Sequence, residues 1–438
     1  MADVNTINNG DIMTRPKVTL CMIVKDETHI IEQCLRSIAK YVDRYDITDT
    51  GSTDGTQDLI KKTMEELKVP GEVHQSDWKG FGDHNGKMGS RSESLMNARK
   101  SDAEYAWVID ADDYVEGNFQ YPETMDADCY SLCIGRGDFT WWRNQIFKLS
   151  VDWKYKGILH EYATTDNKPR EELNAGRLGG DYKVIARTEG NRNVGITPIE
   201  KYKRDAEVLE QAILDEPTND RYHFYLAQSY FDSQQFEKSL VAYEKRVELG
   251  GWAEEVYYSK LRCGILKGLM NKPLAETAAA FVDAFNYRPI RAETLWFLTR
   301  MYRINELPAA AYIYARMGLD IPYPSQDILF IQDDVYRWGM LDEVAATAFY
   351  ANQPEIGYQA SKVLLEKNLA PALHKQRVLQ NFRSYEQVMK KIEEQKKYMN
   401  SVSTTSSDNK QKKEPNKNKQ STKVKEKTGY KKRRKQKA

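Results

Sequence analysis

Between Tyr105 and Val115 the chain reads YAWVIDADDYV, an apolar run from Ala106 to Ile109 that leads straight into three carboxylates, Asp110, Asp112 and Asp113. A short apolar run of this kind reads as a buried strand, and ligand sites in open α/β sheets lie at the ends of such strands. Carboxylates crowded at one strand end repel one another unless positive charge lies among them. A hard divalent cation with oxygen ligands is the usual partner. The stretch therefore predicts a metal-bound phosphate site. Taken alone, it reads equally as an acidic turn or helix N-terminus after a strand.

The residues on either side decide what the run belongs to. Val18 to Val24, VTLCMIV, is short, apolar and β-branched, and predicts a fully buried strand. Lys25 to Thr28 is a polar turn, after which Ile30, Ile31, Cys34, Leu35 and Ile38 recur at helical spacing. In Asp46 to Thr56, DITDTGSTDGT, a strand ends at Asp49, Gly51 and Gly55 permit turn conformations, and Ser52 to Thr56 offer caps for a helix from Gln57 to Leu67. Strand, helix, strand, polar turn, helix is the opening of a mononucleotide-binding α/β sheet. Val73-His74 belongs to a third strand, Ser76 to Ser90 is a loop rich in Gly, Asp and His, and Glu93 to Ala98 is helical. Beyond Val115, the runs Cys129 to Ile134, Gln145 to Leu149 and Trp153 to Glu161 predict further strands, and Asp166 to Arg192 a polar, irregular segment.

From about Thr197 the pattern turns helical and repeats. Leu226, Ala227, Tyr230, Ser239 and Tyr243 fall where tetratricopeptide repeats place leucine, a small residue, an aromatic, a small residue and an aromatic. Leu261 and Leu298 follow as counterparts of Leu226, and Pro289 and Pro322 lie 33 residues apart, close to the period of about 34. A helical hairpin cannot bury its face alone, so the units are expected to stack into a short solenoid; a plain helical bundle is the other reading. Four segments result: a flexible leader (1–16), the α/β domain (17–196), an all-α repeat domain (197–396) and a disordered Lys/Arg-rich tail (397–438).

Charge is divided the same way. The net charge of +1 combines +11 in residues 401–438 with −10 before them, so only the tail suits an anionic partner, lipid or nucleic acid. Its end, Lys431-Lys432-Arg433-Arg434-Lys435, reads as a nuclear address, an anion contact or a solubilising tail. No apolar run approaches the roughly 18 residues of a membrane helix, and the first residues carry no secretory hydrophobic stretch. Five scattered cysteines without a CxxC pair argue for a reducing compartment and against structural zinc. The expectation is a cytoplasmic protein, with peripheral membrane attachment through the tail left open.

In order along the chain, VTLCMIVKDE, DTGSTDGT, WVIDADDY and YKGILHEYA resemble the signatures of family 2 glycosyltransferases, in the branch where a GT-A domain precedes tetratricopeptide repeats. The resemblance covers residues 17 to about 260. It implies a Rossmann-like GT-A fold that moves a sugar, with inversion, from a nucleotide-diphosphate sugar to an acceptor hydroxyl on a glycan, lipid-linked glycan or protein. Mn²⁺ or Mg²⁺ would balance the charge developing on the diphosphate. By the same resemblance Asp110 would contact the ribose, Asp112 would bind the metal, and Asp113 is a candidate second ligand.

Lys25, Glu27, Asp49 and Asp54 would lie near the nucleoside; for Asp54 a plain helix cap is the competing reading. Arg91 matches an arginine whose planar fork suits a diphosphate, against a salt bridge as the alternative. Glu161 in GILHEY is the candidate base for the acceptor, Asp138 is the reserve, and His160 is a metal or diphosphate contact. Gly157 would allow close backbone approach to substrate. Trp141 and Trp142 suit either a sugar face or the core. The first loop reads KDE where the branch has KNE, and the stretch from His74 to Arg91 is longer than the family pattern, so the loop bordering the donor is remodelled. A non-catalytic adaptor using the repeats to bind a partner or to self-associate is the main alternative. A sugar nucleotidyltransferase would carry a Gly-rich, arginine-containing first loop, and here that loop is VKDETH.

Overall fold

The VTLCMIV run forms strand β1 (Val18–Val24), almost wholly buried. In the computed structural model, which describes residues 15–136, 139–187, 189–191 and 195–408, it is followed by α1 (Ile31–Ile38), β2 (Arg44–Asp49), α2 (Thr56–Glu66), β3 (Gly71–Gln75), α3 (Ser90–Ala98) and β4 (Tyr105–Val108). Then come β5 (Tyr114–Gln120), β6 (Cys129–Arg136), β7 (Phe139–Lys148), β8 (Trp153–Lys156), β9 (Tyr162–Thr165), β10 (Ala175–Arg177) and β11 (Gly179–Ile185). The main sheet runs β3-β2-β1-β4-β7-β6-β11-β5, with β10 on β6; β8 and β9 form a separate hairpin.

The first four strands of that order are parallel, and their register decides where the functional groups gather. Val24 lies beside Asp49, and Cys21 beside Val108. The Lys25 turn, Asp49 and Asp110 therefore emerge on the same edge of the sheet. The chain winds outward from β1 to β3 and then crosses back to β4 on the other side of β1. The edge thus lies at a switch point, where open α/β sheets have their crevice. Leu20, Met22, Ile31, Leu35, Ile47, Ile60, Trp107, Leu132 and Ile146 form the core beneath it.

Two expectations are corrected here. The segment Asp166 to Arg192 is not irregular: it holds β10 and β11, and β11 pairs antiparallel with β5 and parallel with β6. It opens on two glycines and buries only Tyr182 and Val184, too few to give a strand signal. The run Trp153 to Glu161 is not one strand either, because β8 ends at Lys156 and a turn follows, with Gly157 at φ +112° and His160 at φ +52°.

The change at Thr197 is the start of α4 (Pro198–Asp215). Thr197 caps it, Glu200 returns the capping-box bond, and Pro198 occupies the first turn. The helices α5 (Asp220–Asp232), α6 (Phe236–Leu249), α7 (Ala253–Leu269), α8 (Leu274–Tyr287), α9 (Glu293–Ile304) and α10 (Pro308–Leu319) follow. Leu226, Leu261 and Leu298 are buried on α5, α7 and α9, and Ser239 on α6 donates to the Ala227 carbonyl at 2.7 Å. The small residues of the repeat pattern thus mark a close helix-to-helix approach. The last helices are α11 (Met340–Thr347), α12 (Pro354–Glu366) and α13 (Ala372–Asp408). The helix α13 enters the stretch expected to be disordered; residues beyond Asp408, with the basic cluster, lie outside the described residues. No described helix is long and apolar enough to cross a membrane.

The described residues form two compact units. One holds the chain through Phe297 together with Pro324–Ile331, and the other holds Leu298–Tyr323 and the chain from Gln332. The division therefore does not coincide with the passage from sheet to helix. Within the first unit, buried Arg291 pairs with Glu293 and Asp327, and Glu254 accepts the amides of Ile328 and Leu329. These contacts hold the returning segment to α7 and the start of α9.

Candidate active site

Arg91, in the first turn of α3, is the centre of the site. It is buried, its Nη2 donates to Asp110 Oδ1 at 2.5 Å, and its Nε stands 2.5 Å from Glu161 Oε1. The second approach is an ion pair without an aligned hydrogen bond, since Nε has no acceptor in line with it. The sheet edge and the turn after β8 are thereby joined through one guanidinium. Burial acts against ionisation of Asp110, but the Arg91 and Arg143 guanidiniums hold its carboxyl below its ordinary value.

The other two acids have different surroundings. Asp112 Oδ2 accepts the amides of Glu189 and Gly190, and its backbone carbonyl accepts from Arg187 Nε. Asp113 is buried and accepts the Arg187 amide at 3.2 Å. Burial pushes the Asp113 carboxyl up to about 8, with the Asp110 and Asp112 charges adding to it; burial also raises Asp112. Glu27 accepts the Asn191 amide on both oxygens, and burial, with help from the Asp112 charge, pushes it up to about 7. A Cβ built on Gly190 would lie 3.3 Å from Glu27 Oε1 and 3.4 Å from Asp112 Oδ2, so these carboxylates flank one point.

The remaining predicted residues divide by what their atoms touch. Asp49 is buried, with Oδ2 accepting from Gly51, Ser52 and Gln57 and Oδ1 left without a partner. Asp54 spends one oxygen on Thr28 and the other on Thr56, and so staples the first loop to the start of α2, where Gly55 is the N-cap residue. Lys25 is exposed at the mouth. Asp26, the departure from the family's asparagine, adopts φ +55°, a left-handed conformation that Asn and Asp tolerate best. Asp138 lies outside the described residues.

The structure does not gather Asp112, Asp113 and His160 into one ligand set. Among the described residues no group of three or more His, Cys, Asp or Glu is arranged to hold a metal ion. The His160 ring lies flat on Tyr225, centroids 3.9 Å apart, and the His160 carbonyl accepts from Arg221. The pair that fits a hard cation is instead Asp112 with Glu27: both are oxygen donors, and both are raised by burial and by unbalanced negative charge.

Arg143 on β7, which the sequence reading did not single out, stands beside Asp110. Its Nη1 lies 4.0 Å from Asp110 Oδ2. Trp141 and Trp142 are both exposed, which excludes the core, and the Arg177 guanidinium covers the Trp142 ring. The long loop before α3 is anchored rather than loose. His84 Nδ1 meets Tyr222 Oη at 2.9 Å, Tyr222 Oη also accepts the Ile158 amide, and the Asn85 amide donates to Glu216. Two of its glycines are required by close approach, because a Cβ on Gly82 would fall 2.7 Å from the Gly157 carbonyl and one on Gly89 closer still to the Gly82 carbonyl. A groove of about 890 Å³ adjoins this turn, with β9, the Asp215–Tyr222 corner, Trp252 and Glu255 among its walls.

Residues 19–128 match the model of glycosyl transferase family 2. The match spans β1 to the threshold of β6, and so includes Lys25, Glu27, Asp49, Arg91 and the three acids after β4. Arg143, His160 and Glu161 lie beyond it. No curated protein matches the chain. Among solved structures, similarity is found to MamA (14% identity, 42% of this chain and 96% of that chain, TM-score 0.32). It is also found to BtubC from P. vanneervenii (9%, 53% and 98%, TM-score 0.35) and to a thermophilic TPR protein of Thermus thermophilus (12%, 43% and 91%, TM-score 0.28).

Proposed function

We propose that this chain is an inverting, metal-dependent glycosyltransferase that takes a sugar from a nucleotide-diphosphate donor and passes it to an acceptor hydroxyl. The observation that carries the reading is the Asp110–Arg91–Glu161 bridge within and beside the family 2 segment. It holds a carboxylate of the nucleotide edge and a second carboxylate from outside the matched segment on one guanidinium. Two acids held by different atoms of one guanidinium suit two tasks. Asp110, with the orphaned Oδ1 of Asp49, offers acceptors to the nucleoside's hydroxyls and N–H groups. Glu161 would take the proton of the attacking hydroxyl.

Asp112 and Glu27 would hold Mn²⁺ or Mg²⁺, which when bound supplies positive charge to the leaving diphosphate. The groove beside the turn at Gly157 is the place for an acceptor, because it reaches the same turn that carries Glu161. Exposed Tyr162 and Trp252 give it aromatic faces that suit a sugar ring or a peptide side chain.

The test is a panel of nucleotide-diphosphate sugars, scored for Mn²⁺-dependent binding and hydrolysis by the full chain, with Asp112→Ala as control. Binding of one donor, lost or made metal-independent in the variant, supports the reading. No binding of any donor, with or without metal, sinks it and leaves a non-catalytic role for the domain.

A further inference from the structure

We propose that Arg143 binds the diphosphate of the donor and neutralises the charge that develops there as the sugar leaves; this rests on the glycosyltransferase reading above. The sequence pointed to Arg91 for that task, but the geometry points to Arg143. Arg91 is buried and lies between two carboxylates, so a phosphate could recruit it only by breaking the Asp110 or Glu161 pair. Opening such a buried pair leaves a charge without compensation.

Arg143 differs on each count. The antiparallel register of β4 with β7 sets Tyr105 beside Lys148, Ala106 beside Phe147 and Trp107 beside Ile146. Continued past the end of β4, it brings Asp110 opposite Arg143. The side chain is 39% exposed, and its nearest carboxylate oxygen, on Asp110, is 4.0 Å away. That is near enough for the charges to hold each other in place and too far for a hydrogen bond. Among the described residues the guanidinium donates no hydrogen bond to protein, so its fork is available to a ligand. Asp110 already has a close hydrogen-bonded partner in Arg91, so it does not engage the Arg143 fork.

The chemistry fits that position. A guanidinium donates two parallel hydrogen bonds to phosphate oxygens and stays charged throughout the reaction. On transfer, the bond from the anomeric carbon to the diphosphate oxygen breaks, the acceptor oxygen forms the new bond, and its proton goes to Glu161. The departing electron pair stays on the diphosphate, whose added negative charge the Arg143 guanidinium offsets.

The test is calorimetric titration of the full chain, at fixed Mn²⁺, with the nucleoside, nucleoside monophosphate and nucleoside diphosphate of each common base. Thermal denaturation confirms that Arg143→Ala and Arg143→Lys are folded. For the base the wild type prefers, Arg143→Ala should weaken the diphosphate about tenfold or more and leave the nucleoside within about twofold. Arg143→Lys, with the charge but without the fork, should fall between. Unchanged diphosphate affinity in Arg143→Ala overturns the proposal, as does an equal loss for nucleoside and diphosphate, which would mark a residue that only shapes the pocket. If Arg143→Ala does not fold, the Lys variant decides, and full diphosphate affinity there counts against the fork. Failure of the wild type to bind any nucleoside diphosphate is a separate outcome, and it removes the glycosyltransferase reading itself.

Discussion

Arg91 and Glu161 are 70 positions apart in the chain, yet Nε of one stands 2.5 Å from Oε1 of the other in a buried setting. The same guanidinium holds Asp110. Arg91→Ala would strip Glu161 of its close cation and leave Asp110 only the more distant Arg143, and we expect a loss of about 3 to 5 kcal/mol. Denaturant unfolding of the full chain measures it. A loss below about 1 kcal/mol would mean that water already screens the pair.

Glu161→Gln keeps the size of the side chain and removes its capacity to accept a proton. Donor binding should persist while transfer falls by about a hundredfold to ten-thousandfold. Retained transfer would move the role of base to Asp138.

Stability should decline as pH rises through the neutral range. The folded-state values of Glu27, about 7, and Asp113, about 8, lie above their unfolded values of about 4. Below about pH 4 both groups are protonated in either state, and their contribution is fully present. Between about pH 4 and 8 the unfolded chain releases protons that the folded chain retains, so the contribution is lost. Asp113→Asn should flatten the slope of melting temperature against pH over that interval. An unchanged slope would assign the effect to other groups.

Tyr222→Phe removes the hydroxyl shared by His84 and the Ile158 amide. We expect a cost of about 1 to 3 kcal/mol, together with faster proteolysis within residues 76–89. Limited proteolysis with mass mapping reads this out, and cleavage at the wild-type rate would show that the loop is anchored elsewhere.

Gly157→Ala should cost about 1 to 3 kcal/mol, because φ +112° is strained for any residue with a Cβ, although the nearest atom to that Cβ is a comfortable 3.5 Å away. A neutral effect on unfolding would mean that the turn relaxes freely.

The first half of the sheet was legible because its strands carry their own evidence: β1 is continuous apolar sequence, Asp49 closes β2, and Asp110 comes two residues after β4. The helical repeats were legible for the same reason, since Leu226, Leu261 and Leu298 recur at spacings of 35 and 37 residues. What could not be read depends on partners far along the chain. The strand β11 has two buried apolar side chains of its own and is made a strand by β5 and β6. Arg143 sits in an aromatic run, and only the register of β7 against β4 brings it opposite Asp110. Asp54 was read as a nucleoside contact or a helix cap, and its bonds to Thr28 and Thr56 could not be read because one of those threonines lies in another turn.

The amides that quiet the acidic corner come late in the chain: Asp112 and Asp113 are met by Arg187, Glu189 and Gly190, more than 70 residues downstream. Closing so long a loop carries an entropic cost that is repaid only once β11 has paired. The corner is therefore among the last parts of the sheet to consolidate. During refolding, aspartates that arrive early remain hydrated and mutually repelling until that closure, so the rate at which this region matures should increase with ionic strength.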